Sequence, residues 1–384
     1  MTIYFDHAAT TKVMPEIAEA ICNSMVNDYG NPSSLHRLGM NAEKLITTAK
    51  QTISAQLRVT PSEIYFTSGG TEANNLGIMG IATAYQRNGR HLITTPIEHA
   101  SVKATYELLE EQGFEVSYVK VDDNGLVDQA DLVRLIRKDT ILVSIMHVNN
   151  EIGIIQNIED LGKILKQTNP STLFHVDGIQ AFGKIVTLPK KWLVDAYAIS
   201  GHKIHGPKGI GAIYIRKGIL IKPMIIGGHQ QKDVRSGTEN VPGIVGIDGA
   251  TKCVIMSMVE NYKKVEAIKS YLIKGLECFD SVRINSPNDH RFSTYILSVS
   301  FVGIRGEVLL HALEEQGIYV STGSACSSNK SKAAGFLSVL GRTKEEVAGN
   351  IRFSFDPTNT FEEIDVLLKV LKEIVPMLLR YQRK

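Results

Sequence analysis

Short apolar runs alternate with longer stretches of helical periodicity through the first two thirds of the chain. Ile64-Tyr65-Phe66 leads through Thr67-Ser68-Gly69-Gly70 into a helical pattern over 71–85. A strand over 91–95 comes next, then a helix over 100–112 closed by Gly113, then an alternating stretch over 114–121. The unbroken apolar run over 140–146 fits a strand covered on both faces. A helix over 158–166, a strand over 172–176 followed by Asp177, and strands over 196–200 and 211–215 continue the rhythm. Strand–helix–strand alternation of this kind predicts an α/β fold with a mostly parallel sheet and helices on both faces.

The pattern changes near Val241-Pro242-Gly243. One helical segment is predicted from there to Cys278, followed by a polar turn at Ser286-Pro287-Asn288-Asp289. A strand over 295–301, a helix over 307–315 and a strand over 318–321 come next. Short helices beyond Cys326, a strand over 351–355 and a helix over 361–379 complete an α+β pattern separate from the parallel unit. The basic tail 380–384 reads as a solvated helix end, where cations suit the dipole.

Length and charge narrow the function classes. At roughly 150 residues per domain, 384 residues predict two domains. With 43% hydrophobic and 21% charged residues the chain can bury a large core. Lys and Arg total 42 against 40 acidic residues, so no broad basic field is available for nucleic acid. The start carries no basic stretch followed by an apolar one, and no apolar run approaches about 18 residues, so neither a signal peptide nor a membrane helix is expected. The four cysteines, Cys22, Cys253, Cys278 and Cys326, form no close pair, which argues against a disulfide framework or a zinc site. A reducing cytoplasm is the expected setting. Cys22, Cys253 and Cys278 have apolar neighbours and are expected to be buried small hydrophobes.

Five constellations could carry chemistry. In Ser68-Gly69-Gly70-Thr71-Glu72-Ala73-Asn74-Asn75, two glycines precede a helix whose free N–H groups and dipole suit an anion. Taken alone, an ordinary helix cap explains it too. Lys203, in Ser200-Gly201-His202-Lys203-Ile204-His205-Gly206, follows an apolar strand; such a lysine forms a Schiff base if its pKa is lowered, and is otherwise part of a basic turn. Asp177, in Phe174-His175-Val176-Asp177, stands at the carboxyl end of a buried strand, where open α/β sheets bind ligands, or it caps a helix. An aspartate combined with a Schiff-base lysine is the usual equipment for pyridoxal phosphate. His99 lies at a strand-to-helix junction, where a histidine can stack on a flat ring and move protons or serve only structure. Asn149-Asn150-Glu151 offers an amide for a ligand or for a turn. Finally, Ser321-Thr322-Gly323-Ser324-Ala325-Cys326-Ser327-Ser328 places one cysteine among small polar residues, which suit an exposed loop and an accessible thiolate.

Together these motifs resemble the cysteine desulfurases of the NifS/IscS type, within the class V aminotransferases of pyridoxal-phosphate fold-type I. The resemblance runs nearly end to end. It includes Tyr4-Phe5-Asp6-His7-Ala8-Ala9-Thr10-Thr11, Gly30-Asn31-Pro32-Ser33-Ser34, Glu98-His99, His147-Val148-Asn149-Asn150-Glu151-Ile152-Gly153, Arg235-Ser236-Gly237-Thr238 and Ile351-Arg352-Phe353-Ser354. It implies a large domain over 14–250 with a mainly parallel seven-stranded sheet, and a smaller α+β domain from 1–13 and 251–384. It also implies a homodimer binding pyridoxal 5'-phosphate. In that resemblance Lys203 holds the cofactor and then moves protons. Asp177 pairs with the pyridine N–H, His99 stacks on the ring, and Gln180 donates to the phenolic oxygen. Gly70, Thr71, Ser200 and His202 hold the phosphate, with Thr238 reaching in from the second subunit. Arg352 forks onto the carboxylate of L-cysteine with Asn150 assisting. Cys326 takes the sulfur as a persulfide and passes it to an acceptor protein for iron–sulfur cluster assembly or transfer-RNA thiolation, leaving alanine. From the charge balance, the cysteine spacing and the lack of a long apolar run, no metal, no direct nucleic-acid contact and no membrane are expected. A selenocysteine lyase or another class V aminotransferase-type enzyme, and a non-catalytic scaffold on the same fold, are the alternatives. The chain departs from the family pattern at Gly227-Gly228-His229-Gln230-Gln231-Lys232-Asp233-Val234, where His229 and Asp233 replace glycines and a different turn is expected. Further departures are Asn329-Lys330-Ser331-Lys332-Ala333-Ala334-Gly335, and Asp356-Pro357-Thr358-Asn359 in place of Gly-Arg-Phe-Thr.

Overall fold

The computed structural model describes residues 2–323 and 336–382. Its main sheet has seven strands in the order Ile64–Thr67, Gly211–Ile215, Ala196–Ser200, Leu173–Asp177, Thr140–Met146, His91–Thr94, Glu115–Tyr118. The last five run parallel, Gly211–Ile215 runs against its two neighbours, and Ile64–Thr67 therefore points the same way as the parallel set. The carboxyl ends of six strands thus lie along one edge, and Thr67 and Ser200 flank Gly211 in register there.

Both faces of this sheet are covered, which is why its strands read as apolar runs. Successive residues on one strand enter opposite cores. Val143, Ile145, Phe174, Val176, Tyr197 and Ile199 pack on one side with the helices Arg37–Leu57 and Val241–Met256. Leu142, Leu173, Ala196, Ala198 and Ile213 pack on the other with Gly70–Tyr85 and Ala100–Glu111. All seven residues of Thr140–Met146 are buried.

A second, antiparallel sheet joins Asn350–Ser354, Ile296–Phe301 and Val282–Ile284. It packs with Met258–Leu276, Gly306–Glu314 and Phe361–Gln382 around a separate core that includes Leu297, Val299, Leu272 and Leu371. The N-terminal Ile3–Tyr4 belongs to this body: it pairs in parallel with Ile318–Tyr319, and Asp6 bridges to Ser354.

The structure corrects three expectations. The segment predicted as one helix from 241 to 278 is two, Val241–Met256 and Met258–Leu276, bent by 73° around Ser257. The first half packs on the large sheet and the second on the small one, so the apolar stripe must change partner there. The expected strand over 318–321 pairs only at Ile318–Tyr319, with Ser321 in an isolated bridge to Arg352. Cys22 and Cys278 are exposed and Cys253 is half-buried, against the expectation of burial. Helix Pro15–Asn27 turns Ile17 and Ser24 inward, and Cys22 lies off that stripe; Cys278 falls just past the end of Met258–Leu276. Among the described residues no single helix is long and apolar enough to cross a membrane, although the bent pair passes that test by length and composition.

Candidate functional site

Residues far apart in sequence converge at the carboxyl edge of the large sheet, where the N-terminal segment crosses it. Lys203 sits in the single turn Gly201–Lys203 directly after the strand Ala196–Ser200. Its Nζ donates to the carbonyls of Ala8 at 2.7 Å and Ala9 at 2.6 Å. Burial pulls the ammonium down to about 7, helped by the Lys184 and Arg352 charges and opposed by Asp6 and Asp177. Burial thus moves this amine toward its unprotonated form, the form needed for nucleophilic attack.

Asp177 ends the neighbouring strand and is 5% exposed. Its Oδ1 accepts from the Ile179 N–H at 3.0 Å and its Oδ2 from Asn74 Nδ2 at 2.8 Å. Asn74 also donates to Ser101 Oγ at 2.9 Å, and that hydroxyl lies 2.8 Å from His99 Nδ1. His99 caps the helix Ala100–Glu111, its Nδ1 accepting from the Ser101 N–H at 3.1 Å. With Nδ1 used as acceptor, the neutral ring carries its proton on Nε2. Burial lowers the His99 pKa, with Asp177 pulling the other way. Asn74 and Ser101 thus join Asp177 to His99, a role that sequence reading did not assign. The only local trace is an asparagine one helical turn into Gly70–Tyr85.

The glycine turn packs against the Lys203 strand. A Cβ on Gly70 would stand 2.3 Å from Ile179 Cδ1 and 3.4 Å from Ser200 Cβ, so the Ile179 side chain would have to shift to admit one. Ser200 Oγ is buried and has no hydrogen-bond partner among the described residues. Thr71 is exposed at the first turn of Gly70–Tyr85. His202 Nδ1 lies 3.2 Å from Thr10 Oγ1, and burial takes its pKa down to about 4, with Lys203 contributing. Gly70, Thr71, Ser200 and His202 therefore share one small region with free N–H groups and an unpartnered hydroxyl.

Arg352, on the small sheet, reaches the same N-terminal segment. One Nη donates to Asp6 Oδ1 at 2.9 Å and the other to the Asn150 carbonyl at 2.8 Å, while its buried Nε has no partner among the described residues. Asn150 touches Arg352 through its backbone. The neighbouring Asn149 side chain builds the turn, accepting from the Glu151 and Ile152 N–H groups and donating to the Ile97 carbonyl. Burial raises Glu151 to about 7 against the pull of Arg352. Its Oε2 lies 3.1 Å from where a Cβ on Gly323 would stand. Gln180 is turned toward the N-terminal segment, its Nε2 donating to the Ala8 carbonyl at 2.9 Å. Thr238 is exposed, and Arg235 beside it is held within the chain by Glu72 at 2.9 Å. Cys326 lies outside the described residues.

Two departures from the family pattern have a clear structure. Asp233 takes φ 65°, a left-handed conformation that aspartate tolerates, and follows Gln231 and Lys232 in the same region. The Gln231 amide pairs with both backbone groups of Phe66, at 2.6 and 2.7 Å, on the edge strand. Asp356 accepts from the His205 ring at 2.7 Å.

The aminotransferase class-V family model matches residues 3–367. This chain belongs to that family. It is 42% identical over 376 residues to the cysteine desulfurase IscS of Methanosarcina thermophila, an alignment covering 98% of this chain and 92% of that protein. Among solved structures, a NifS-like protein superposes with a TM-score of 0.93 at 41% identity, covering 98% of this chain and all of that one. SspA in complex with cysteine superposes with a TM-score of 0.82 at 32% identity, over 94% of this chain and all of that one. The α/β class V fold, with its mainly parallel seven-stranded sheet, is thus shared along the whole chain.

Proposed function

We propose that the chain is a cysteine desulfurase that converts L-cysteine to L-alanine and carries the sulfur away as a persulfide on Cys326. The observation that supports it most is the convergence on residues 6–9: Lys203 rests on the Ala8 and Ala9 carbonyls while Arg352 is fastened to Asp6. An amine lowered to about 7 and a carboxylate-binding fork are thereby set side by side. Family membership and the named relatives point the same way.

The residues present fit pyridoxal 5'-phosphate. The unpartnered Ser200 hydroxyl, the glycine turn at Gly70 and the N-terminus of Gly70–Tyr85 suit a phosphate, with Thr71 and His202 beside them and Thr238 supplied by a second subunit. Asp177 would face the pyridine nitrogen, His99 the ring, and Gln180, with one amide N–H committed to Ala8, the phenolic oxygen. When bound, the cofactor supplies an electron sink for the bonding pair released at the substrate carbon. Lys203 Nζ would hold it, and would afterwards take a proton from, and return one to, the substrate. Asn74 holds the Asp177 carboxylate in place, and the chain through Ser101 keeps the His99 Nε2 proton where it can be shared. Arg352 orients the substrate carboxylate with help from Asn150. The Cys326 thiolate attacks the substrate sulfur: a sulfur–sulfur bond forms, the carbon–sulfur bond breaks, and its electron pair stays with the carbon that becomes the alanine methyl group. Cys326 stands three positions after the described Gly323, a chain length of at most about 11 Å.

Further parts of this reading are a homodimer, a cytoplasmic setting, and transfer to an acceptor protein in iron–sulfur cluster assembly or transfer-RNA thiolation. The division into 14–250 on one side and 1–13 with 251–384 on the other is supported by the separate cores. The test is turnover of L-cysteine by purified protein loaded with pyridoxal phosphate. Alanine and sulfide should form together under a thiol reductant. Lys203→Ala should reduce turnover by at least about 10³-fold, and Cys326→Ala should release no sulfide while the absorbance band of the bound cofactor persists. A loaded wild-type protein that releases no sulfur would overturn the reading.

A further inference from the structure

A cavity of about 230 Å³ lies beside Lys203 at the seam between the two bodies, lined by His7, Lys184, His205 and Asp356 among others. Asp177, His99, Ser200 and Arg352 do not line it, so it is distinct from the place where cofactor and substrate would sit. Ser257 and Asn261, both half-buried, line it at the bend between Val241–Met256 and Met258–Leu276, which leaves a small solute a way in.

The charges around the cavity do not cancel. His205 Nδ1 lies 3.0 Å from the Lys12 carbonyl and its Nε2 2.7 Å from Asp356 Oδ2. Both partners are acceptors, so both ring nitrogens carry protons and the ring is an imidazolium. The other Asp356 oxygen accepts from the Thr358 N–H at 3.0 Å and from its hydroxyl at 2.7 Å. Asp356 and His205 therefore neutralise each other, and the carboxylate is committed within the fold.

Lys184 has no such partner. It is 8% exposed, its Nζ donates to Gln180 Oε1 at 3.2 Å and lies 5.4 Å from the centre of the Tyr295 ring. An ammonium has three donors, and among the described residues no carboxylate forms an ion pair with this one. Burial lowers it only to about 8, with Asp356 opposing, so it is positive at neutral pH. His7 is 6% exposed, and both its ring nitrogens are buried without a partner among the described residues. Burial takes it down to about 4, so the neutral ring offers one N–H and one acceptor. Water satisfies such donors, but a buried charge is costly until an opposite charge meets it.

We propose that this cavity binds a small monovalent anion of the halide or short-carboxylate class, held by the Lys184 ammonium and the His7 N–H. One uncompensated charge suits a monoanion. The ammonium of a free amino acid would face Lys184 there, which separates this ligand from L-cysteine. The site stands whether or not the chain desulfurates cysteine.

The experiment uses the full-length protein supplied with pyridoxal phosphate, with sodium bromide as the probe. Crystals soaked in bromide should show an anomalous peak touching Lys184 Nζ and the His7 ring. In solution at constant ionic strength, the bromide resonance should broaden saturably, and acetate should reverse the broadening. Lys184→Gln and His7→Phe should each weaken that saturable binding by about tenfold or more. A cavity that holds only water, or bromide found only at Arg352, overturns the proposal. So does a bromide that occupies the cavity at soaking concentration without saturable binding in solution, or binding unchanged in Lys184→Gln. If that variant does not fold, the wild-type peak and its reversal by acetate decide: both present support the site, and either missing overturns it.

Discussion

Arg352 spends its two terminal nitrogens on Asp6 and the Asn150 carbonyl, so a substrate carboxylate must compete with Asp6 for the fork. Lysine keeps the charge but loses the planar pair of donors. Arg352→Lys should therefore cost about 1.5–3 kcal/mol of binding, roughly 10- to 150-fold in kcat/KM and mainly through KM, measured by initial rates against L-cysteine. Unchanged KM would remove Arg352 from substrate binding. The Asp356–His205 pair makes a second residue-scale prediction. Burial of His205 is outweighed by its bond to Asp356, so its pKa is raised; Asp356, buried too, is held well below the usual carboxylate range by His205. The His205 contribution is then fully present below about 6.5 and fades as pH rises through its raised folded value, while that of Asp356 is present above about 3.9 and fades as pH falls further. Asp356→Asn should destabilise by about 1–3 kcal/mol near pH 5.5 and by less at pH 9, read by urea denaturation at both. Equal losses at the two pH values would contradict the pairing. Few of these contacts were legible in the sequence. Asp6 meets Arg352 and Asn74 meets Asp177 across hundreds or a hundred intervening residues, and no local spacing encodes that. The placing of Asp177, Lys203 and His99 at or just beyond the ends of strands was legible, because the apolar runs alone mark where those strands stop.

Elements buried on both faces were the easiest to read. The runs at Thr140–Met146, Ala196–Ser200 and Gly211–Ile215 coincide with their strands, because double burial turns alternation into continuous hydrophobicity. The break at Ser257 was not legible: neither glycine nor proline marks it, and the partner sheet changes without a change in helical periodicity. Where strands end at the site, close packing makes glycine necessary. A Cβ on Gly178, directly after Asp177, would stand 1.9 Å from the Tyr197 ring, whose hydroxyl lies 2.9 Å from His147 Nδ1. Gly178→Ala should cost about 1–3 kcal/mol through overpacking, lowering the melting temperature and weakening cofactor retention by displacing Asp177. A melting curve like that of the wild type would show that the strand end yields more easily than its packing implies.

At the scale of the molecule, residues 3–9 tie the two bodies together. Ile3–Tyr4 pairs in the small sheet, and the next turn supplies the carbonyls that hold Lys203 on the large one. The active region is therefore a seam between bodies with separate cores. Thr238 is exposed in one chain, which suits a role across a subunit boundary. The chain should sediment as a dimer, and Thr238→Ala should weaken cofactor binding without changing the dimer; a fully active monomer would contradict the shared site. Lys203 and Cys326 are proposed to act on one substrate in succession. The most direct measurement supplies the loaded enzyme with L-cysteine, without reductant, and follows alanine together with the mass of the Cys326 peptide. One added sulfur atom on Cys326 is expected for each alanine formed in the first turnover, and no added sulfur in Lys203→Ala. Alanine formed while Cys326 stays unmodified would contradict it.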